Sequence, residues 1–301
     1  MTGDLHVHTR FSDGSYTVAE AVRRARYHGF SFVGVVDHDT TAGFPLAYEI
    51  GLREGVTVVP GVEISAYDFR RNRKIHLLGY NFALPAVHIE QIGEPLRSRR
   101  HRRTLGQIGI LAAEGYPVSE EAVRTLAAER LSEEERAVWP GVLFKQHIMV
   151  QLIREGLTEQ IYGDLYRSLF KNGGVCAGDI EYVDVFDALW AIKADGGCAV
   201  LAHPGQQDSF DLIDELAEKG LDGIEIYHPD HTADHQQAIR AAARRKSLFL
   251  TGGSDDHGTM GSAAVIGDIR APFGALQEIM AHSHGFLTEI STKQNHSVTG
   301  I

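Results

Sequence analysis

Cysteine is scarce in this 301-residue chain, with Cys176 and Cys198 the only two. Two thiols cannot staple a domain of this size, so a disulfide scaffold is excluded and reduced cysteines are expected. No apolar run approaches the roughly 20 residues of a membrane-spanning helix. The opening MTGDLHVHTR has no basic stretch followed by an apolar one, so no signal peptide is expected and a cytoplasmic location is. Positive charge is also short: 29 Lys and Arg against 40 Asp and Glu leave a net charge of -11. That balance argues against a long nucleic-acid duplex, whose counterions only a basic face displaces. A small phosphorylated partner stays open, because bound metal ions can supply local positive charge. No internal repeat or low-complexity segment stands out.

What the chain has in excess is histidine, 16 in all, several beside Asp or Glu at the ends of apolar runs. The first third alternates short apolar runs with helical patterns. Thr17 to Glu20 reads as a capping box, Val18, Ala21, Val22 and Ala25 form an apolar stripe, and Gly29 suits a helix end. Strands are expected at 30–36, 56–59 and 75–78, and a second helix at 44–54. This order predicts an α/β fold with a parallel sheet, open or closed into a barrel. Between 86 and 172 strand signals vanish in favour of charged helical patterns at 96–114, 119–129, 145–155 and 159–171. Residues 1–85 and 173–301 are therefore expected to form the two parts of one α/β unit, with 86–172 a helical insertion. After Gly258 the pattern is less legible, and the last ten residues are expected to be poorly ordered.

The histidines and acids fall where these strands end. His6 and His8 lie two apart on the first apolar segment, so strand geometry points both to one side. Asp13 follows in a turn. His38, Glu63, His76, His203, Asp255 and His257 each lie at or just past an expected strand. In parallel α/β folds these ends converge on the face where active sites are built. Six imidazoles and three carboxylates together are costly without metal, and mixed N and O donors without thiolate suit Zn, Mn or Fe. Nine donors exceed the needs of one ion, so two or three are expected.

These motifs carry a resemblance. Asp4-Leu5-His6-Val7-His8-Thr9, Ser12-Asp13-Gly14, Asp37-His38-Asp39, Pro60-Gly61-Val62-Glu63, Ala202-His203-Pro204-Gly205 and Gly253-Ser254-Asp255-Asp256-His257 resemble the PHP (polymerase and histidinol phosphatase) superfamily. The helical segment resembles the insertion of its nucleotide and short-RNA phosphoesterases. The resemblance implies a distorted (β/α)7 barrel with a trinuclear centre. It implies that His6, His8, Glu63 and Asp255 ligate one ion, Glu63, His76 and His203 a second, and Asp13, His38 and His257 a third. Two ions sharing a hydroxide would bring its pKa towards neutral and aim it at phosphorus. The leaving group's proton would come from Asp255 or from His231.

For substrate contacts the resemblance points to Lys145 and His147, where relatives place a cation near a His. Relatives often carry a further cation after a Gly-Gly segment. Here 175–181 hold Asp179 and Glu181 but no Lys or Arg, which weakens a bisphosphate expectation. The basic run Arg97, Arg99, Arg100, His101, Arg102, Arg103 reads as a solvated helix face or as a recruiter of a distal phosphate, with Arg102 carried as a candidate contact. Tyr227 and His231 follow another strand and could approach substrate. The expected activity is hydrolysis of a small phosphate ester, such as a nucleotide mono-, bis- or cyclic phosphate. Exonucleolytic attack on short RNA, amide hydrolysis on an amidohydrolase-type barrel and a non-enzymatic metal module are the alternatives. No lysine sits where an amidohydrolase would carry its carboxylated bridge.

Overall fold

The computed structural model describes residues 1–261 and 264–291. The last ten residues, expected from sequence to be poorly ordered, lie outside that range. Strands β1 (Gly3–Val7), β2 (Phe32–Val35), β3 (Thr57–Asp68), β4 (Arg73–Tyr80), β6 (Cys198–Leu201), β7 (Gly223–Tyr227) and β8 (Phe249–Gly252) form one sheet in the order β1-β2-β3-β4-β6-β7-β8. A two-residue β5 (Val183–Asp184) adds to the far end of β3. The sheet curls until its edges meet: Val7 bridges Asp256 just past β8, and the His8 amide donates to the Asp256 carbonyl at 2.9 Å. The result is the nearly closed α/β barrel that the motifs implied.

The pairing departs from an all-parallel sheet at one place. β3 and β4 form an antiparallel hairpin, and β4 also runs antiparallel to β6, while the other main pairs are parallel. The expected strand at 56–59 is only the start of β3, which continues through Pro60-Gly61 to Asp68. Glu63 is therefore mid-strand rather than beyond a strand. Because side chains alternate along strands, Val62, Ile64 and Ala66 of β3 and Ile75 and Leu77 of β4 pack outward on the helices. Val59 of β3 and Leu78 and Tyr80 of β4 join Leu5, Phe32, Val200 and Phe249 in the barrel interior. The Tyr80 hydroxyl donates to the Leu5 carbonyl at 2.7 Å inside that core.

Helices α1 (Val18–Tyr27) and α2 (Phe44–Glu54) cover β1 to β3. The capping box read at Thr17 and Glu20 is formed. Between β4 and β5 run α3 (Val87–Ala113), α4 (Glu120–Ala127), α5 (Glu133–Val138), α6 (Lys145–Arg154) and α7 (Asp164–Phe170), with a core of their own around Leu111, Leu143, Ile148 and Leu152. α3 begins nine residues before the expected 96, because Pro95, which reads as a boundary in sequence, lies inside the helix. That extra length matters for position. Glu90 of α3 accepts from the Thr41 amide and hydroxyl, and Arg97 donates to the Asp39 carbonyl, so α3 is clamped onto the loop after β2. α8 (Val185–Ala194), α9 (Ile213–Glu218) and α10 (Ala233–Lys246) complete the outer layer, and α11 (Ala275–Ala281) closes the barrel bottom. Among the described residues no helix is long and apolar enough to cross a membrane.

One contact fixes how tightly the barrel closes. A methyl group on Gly253 would fall 2.4 Å from the His6 Cβ and backbone nitrogen. Gly253→Ala is therefore expected to lower stability by about 1–3 kcal/mol through overpacking, read by urea unfolding. A variant as stable as the parent would show that the two strand ends do not meet as described.

Candidate active site

The barrel's C-terminal rim is built by short loops tied together through buried carboxylates. Asp4 accepts from the His6 amide and from the Ser254 amide and hydroxyl, joining β1 to the loop after β8. Asp37 accepts from the Thr9 amide and hydroxyl and from the Ser12 hydroxyl, joining the loop after β2 to that after β1. Asp256 accepts from the amides of Gly258 and Ile266. Asp39 accepts from the Ser65 amide on β3 and from Arg100 of α3. Burial pushes the Asp4 carboxyl up to about 7 despite its three hydrogen bonds. Three residues at this rim hold left-handed backbone, Asp39 (φ 59°), His203 (φ 22°) and Asp255 (φ 52°). Such conformations persist where the surroundings over-determine them.

These loops bring all nine expected donors together. Glu63 is 1% exposed and stands at their centre. Its Oε2 lies 3.4 Å from His6 Nε2, 3.1 Å from His8 Nε2 and 3.4 Å from His38 Nδ1. Its Oε1 lies 2.9 Å from both His76 Nδ1 and His203 Nε2. Asp255 Oδ1 is 3.2 Å from His6 Nε2 and 3.3 Å from His8 Nε2. Asp13 Oδ1 is 3.3 Å from His257 Nε2 and 3.9 Å from His38 Nε2. Three groupings emerge: His6, His8, Glu63 and Asp255; His38, Glu63 and His76; and His8, Asp13, His38 and His257. The first matches the set the resemblance implied. The second holds His38 in place of the implied His203, and the third adds His8 to the implied Asp13, His38 and His257.

Several of these atoms are buried and make no hydrogen bond: His6 Nε2, His8 Nε2, His38 Nδ1, Asp13 Oδ1 and Asp255 Oδ1. An unpaired buried polar atom costs several kcal/mol, so five converging on one space call for a common partner. Metal–ligand bonds of about 2.0–2.2 Å place neighbouring donor atoms roughly 3.0–3.5 Å apart. The four-residue group around Glu63 Oε2 and Asp255 Oδ1 falls in that range, so the residues fit divalent ions. The charges agree. Burial alone would strip His6 and His8 of their protons, yet the neighbouring carboxylates hold His6 well above its ordinary value and His8 near 10. Burial dominates at His38, which falls to about 3. Burial raises the Asp13, Glu63 and Asp255 carboxyls, but the imidazoles outweigh it and hold all three well below the ordinary range. The cluster thus demands cationic charge, in protons or in metal.

Two supporting residues lay outside the sequence expectation. Glu225 of β7 faces His6 Nδ1 at 3.0 Å and accepts from the His203 amide, so it fixes which nitrogen His6 presents to the cluster. His228 Nδ1 accepts from the Asp230 amide, which places its proton on Nε2, 3.3 Å from Asp255 Oδ2. The sequence signal for Glu225 is a carboxylate inside the apolar strand Gly223–Tyr227, and that for His228 is its place just past the same strand.

A cavity of about 500 Å³ opens over the cluster. Lys145 lines it, with its ammonium 5.7 Å from the Tyr166 ring and no ion pair to an acid among the described residues. Three other expected contacts are placed elsewhere. His147 is fully buried at the start of α6, where Nδ1 accepts from the Phe144 amide, and its neighbour Gln146 lines the cavity instead and donates to Asp13. Arg102 is exposed and folds back on the Ser98 carbonyl, while Arg100 reaches the cavity and bonds Ser65. Residues two apart on a helix point about 200° apart, so only one of the pair can face inward. His231 has both nitrogens committed, Nδ1–H to the Ile226 carbonyl and Nε2 to the Gly205 amide, and cannot pass a proton to substrate. Tyr227 pairs with Arg240 and does not line the cavity. The cation missing after the Gly-Gly segment is supplied from before it, by Lys171, and from β4 by Arg73 and Lys74.

The PHP domain family matches residues 4–124. A phosphoribosyl 1,2-cyclic phosphate 1,2-diphosphodiesterase from Eggerthella lenta is 46% identical over 89% of this chain and 98% of its own. A 3',5'-nucleoside bisphosphate phosphatase from Chromobacterium violaceum is 28% identical, covering 84% of this chain and 86% of its own. The 5'-3' exoribonuclease Rnm of Escherichia coli is 27% identical over 84% of each chain. Among solved structures, a proposed metal-dependent phosphoesterase from Bifidobacterium adolescentis superposes with a TM-score of 0.84 at 26% identity, covering 95% of this chain and 97% of the other.

Two measurements check the site. Glu225→Ala is expected to weaken metal binding by about 10–100-fold, as loss of an orienting carboxylate does, read by chelator competition; unchanged affinity would remove Glu225 from that role. Burial holds His147 at about 4 in the folded chain against an ordinary 6.5. Unfolding therefore takes up a proton between those values, so His147 contributes stability above pH 6.5 that is lost as pH falls towards 4, up to about 3 kcal/mol. In chelator, His147→Gln should lose less stability than the parent between pH 7 and 4.5; parallel pH profiles would contradict the burial of a neutral His147.

Proposed function

The chain belongs to the PHP family of metal-dependent phosphoesterases, and from that premise we propose that it hydrolyses a small phosphate ester bearing a second anionic group. A phosphorylated pentose cyclic phosphate leads, ahead of a nucleotide bisphosphate. The carrying observation is Lys145. Burial pushes its pKa down, and it faces the cavity with no ion pair to an acid among the described residues. A desolvated cation of that kind is stabilised by an anion arriving with the substrate. The nearby Arg73 and Lys74 are already paired with Asp211 and Asp179 and set the field rather than the contact.

In this reading His6, His8, Asp13, His38, Glu63, His76, His203, Asp255 and His257 hold two or three divalent ions, and Mn, Zn or Fe suit that donor set. Bound there, the ions supply Lewis acidity for phosphate oxygens and acidify water. Lys145, supported by Arg100, anchors the second anionic group and so orients the ester over the cluster. The amide of Gln146, fixed on Asp13 and the Tyr162 hydroxyl, borders the same space. Asp255 is held ionised, so a proton for the leaving oxygen would start on His228 Nε2, beside Asp255 Oδ2, and pass through that carboxylate. Residues 86–172 are the unit that brings Arg100, Lys145 and Lys171 over the barrel. The two cysteines, free and buried, suit a reducing cytoplasm.

Short RNA is the second reading, favoured by the exoribonuclease relatives and disfavoured by the net charge of -11. The deciding assay is product release by the metal-loaded enzyme, read as ring-opened monoester or free phosphate from phosphoribosyl 1,2-cyclic phosphate, as phosphate from a 3',5'-bisphosphate and AMP, and as mononucleotides from a short 5'-phosphorylated RNA. The cyclic phosphate should be preferred over AMP by about tenfold or more in kcat/KM. Lys145→Ala should raise KM about tenfold with little change in kcat, as loss of a uniform binding contact does. Asp255→Ala should lower kcat about a thousandfold. A preference for RNA would install the second reading, and no release from any substrate with metal bound would overturn both.

A further inference from the structure

A second cavity, of about 520 Å³, lies apart from the catalytic one and shares none of its lining residues. It sits between the loop after β1, α1 and the helices α4 and α6. Its charged lining is Arg10, Arg24, Arg130 and Arg154 against Glu20 and Glu129. In a chain of net charge -11, an excess of two guanidinium groups in one concavity is a local reversal of sign. Arg130 pairs with Glu20 and Arg154 with Glu129, which leaves Arg10 and Arg24 without an acidic partner. Arg24 lies with its guanidinium 4.4 Å from the Tyr16 ring centre.

Arg10 is the informative group. It is 6% exposed, and its Nη1 donates to the Leu126 and Ala127 carbonyls at the end of α4, a favourable place for a cation. Its Nε is buried and makes no hydrogen bond. The Nε–Nη2 edge of arginine is the one that grips an oxyanion with two parallel bonds. Burial, with like-charged Arg130 and Arg154 nearby, disfavours its charge, and Glu129 and Glu20 offset this only in part. An under-compensated, buried guanidinium lining a cavity of ligand size marks a built anion site.

We propose that this cavity binds the phosphate group of a small phosphorylated molecule, held by the Nε edge of Arg10 and by Arg24, as a site distinct from the catalytic one. Its far wall is the turn at Gly258 and Thr259, directly after His257, and Ser15, two residues after Asp13. The Thr259 amide donates to the Ser15 hydroxyl, so an occupant would brace the two loops that carry Asp13 and His257.

Two readouts test it with inorganic phosphate and its heavy analogue tungstate. The Trp139 indole donates to the Arg10 carbonyl at 2.9 Å, and Trp190 is the only other tryptophan. In a metal-loaded Trp190→Phe background, Trp139 fluorescence therefore reports on Arg10. Phosphate should give a saturable change that Arg24→Ala weakens about tenfold, the loss of one charge-assisted contact. Lys145→Ala should leave it unaltered. Arg10→Lys keeps the charge at α4 but lacks the two-pronged edge, and should abolish the response while the chain stays folded by circular dichroism. In tungstate-soaked crystals of the metal-loaded enzyme, anomalous density should appear at Arg10 and vanish in Arg10→Lys, with any density at the metal cluster as internal control. Absence of density at Arg10, or a phosphate response that follows Lys145 instead of Arg24, would overturn the proposal.

Discussion

Glu63 is ionised in the middle of a strand, almost wholly buried at the floor of the cavity and surrounded by five imidazoles. A carboxylate in that position is among the most expensive groups a protein can bury, and it stays only if charge of opposite sign is held against it. The remaining architecture arranges that compensation. β3 runs twelve residues so that Glu63 reaches the barrel mouth from within a strand rather than from a loop. β4 folds back on it as a hairpin, which sets His76 opposite Ser65 and turned to the same face. Parallel β6 and β8 deliver His203 and Asp255 from the other side, both on strained backbone that the surrounding hydrogen bonds hold in place.

A ring of uncoordinated acids stands behind the cluster and makes it rigid. Asp4, Asp37, Asp39 and Asp256 bind backbone amides and hydroxyls of neighbouring loops, and Glu225 and His228 fix the proton positions of His6 and the environment of Asp255. Above it, α3 is fastened to the Asp39 loop through Glu90, Arg97 and Arg100, so the helices that carry the substrate-facing cations are registered to the barrel. An acidic protein can thus offer a phosphate ester a positive mouth, because its basic side chains and its cation-seeking cluster face one cavity.

Eight of the nine donors were legible in sequence because each interrupts or ends an apolar run, Asp13 following in a turn, and only a shared site explains polar residues at so many strand ends. The alternation of strands and helices pointed to an α/β sheet, open or closed, and the barrel came from the resemblance carried by the motifs. The antiparallel hairpin was not legible: Pro60-Gly61 looks like a strand end, although the proline is accommodated where β3 leaves its pairing with β2. Nor was the choice between Arg100 and Arg102, which depends on the phase of a helix whose start Pro95 disguised. His147 and His231 have the residue type of site histidines, yet backbone partners take Nδ1 of His147 and both nitrogens of His231, and such partners cannot be read from spacing. Glu225 and His228 act through other side chains, so only three-dimensional contact reveals them.

The central claim is that Glu63 is tolerated because divalent cations share it. Metal content of the purified, reconstituted chain by mass spectrometry, alongside Glu63→Gln, tests this most directly. The account predicts at least two ions per chain in the parent and a loss of ions from more than one position in the variant. A parent that binds one ion or none, or a variant that retains the full complement, would contradict it.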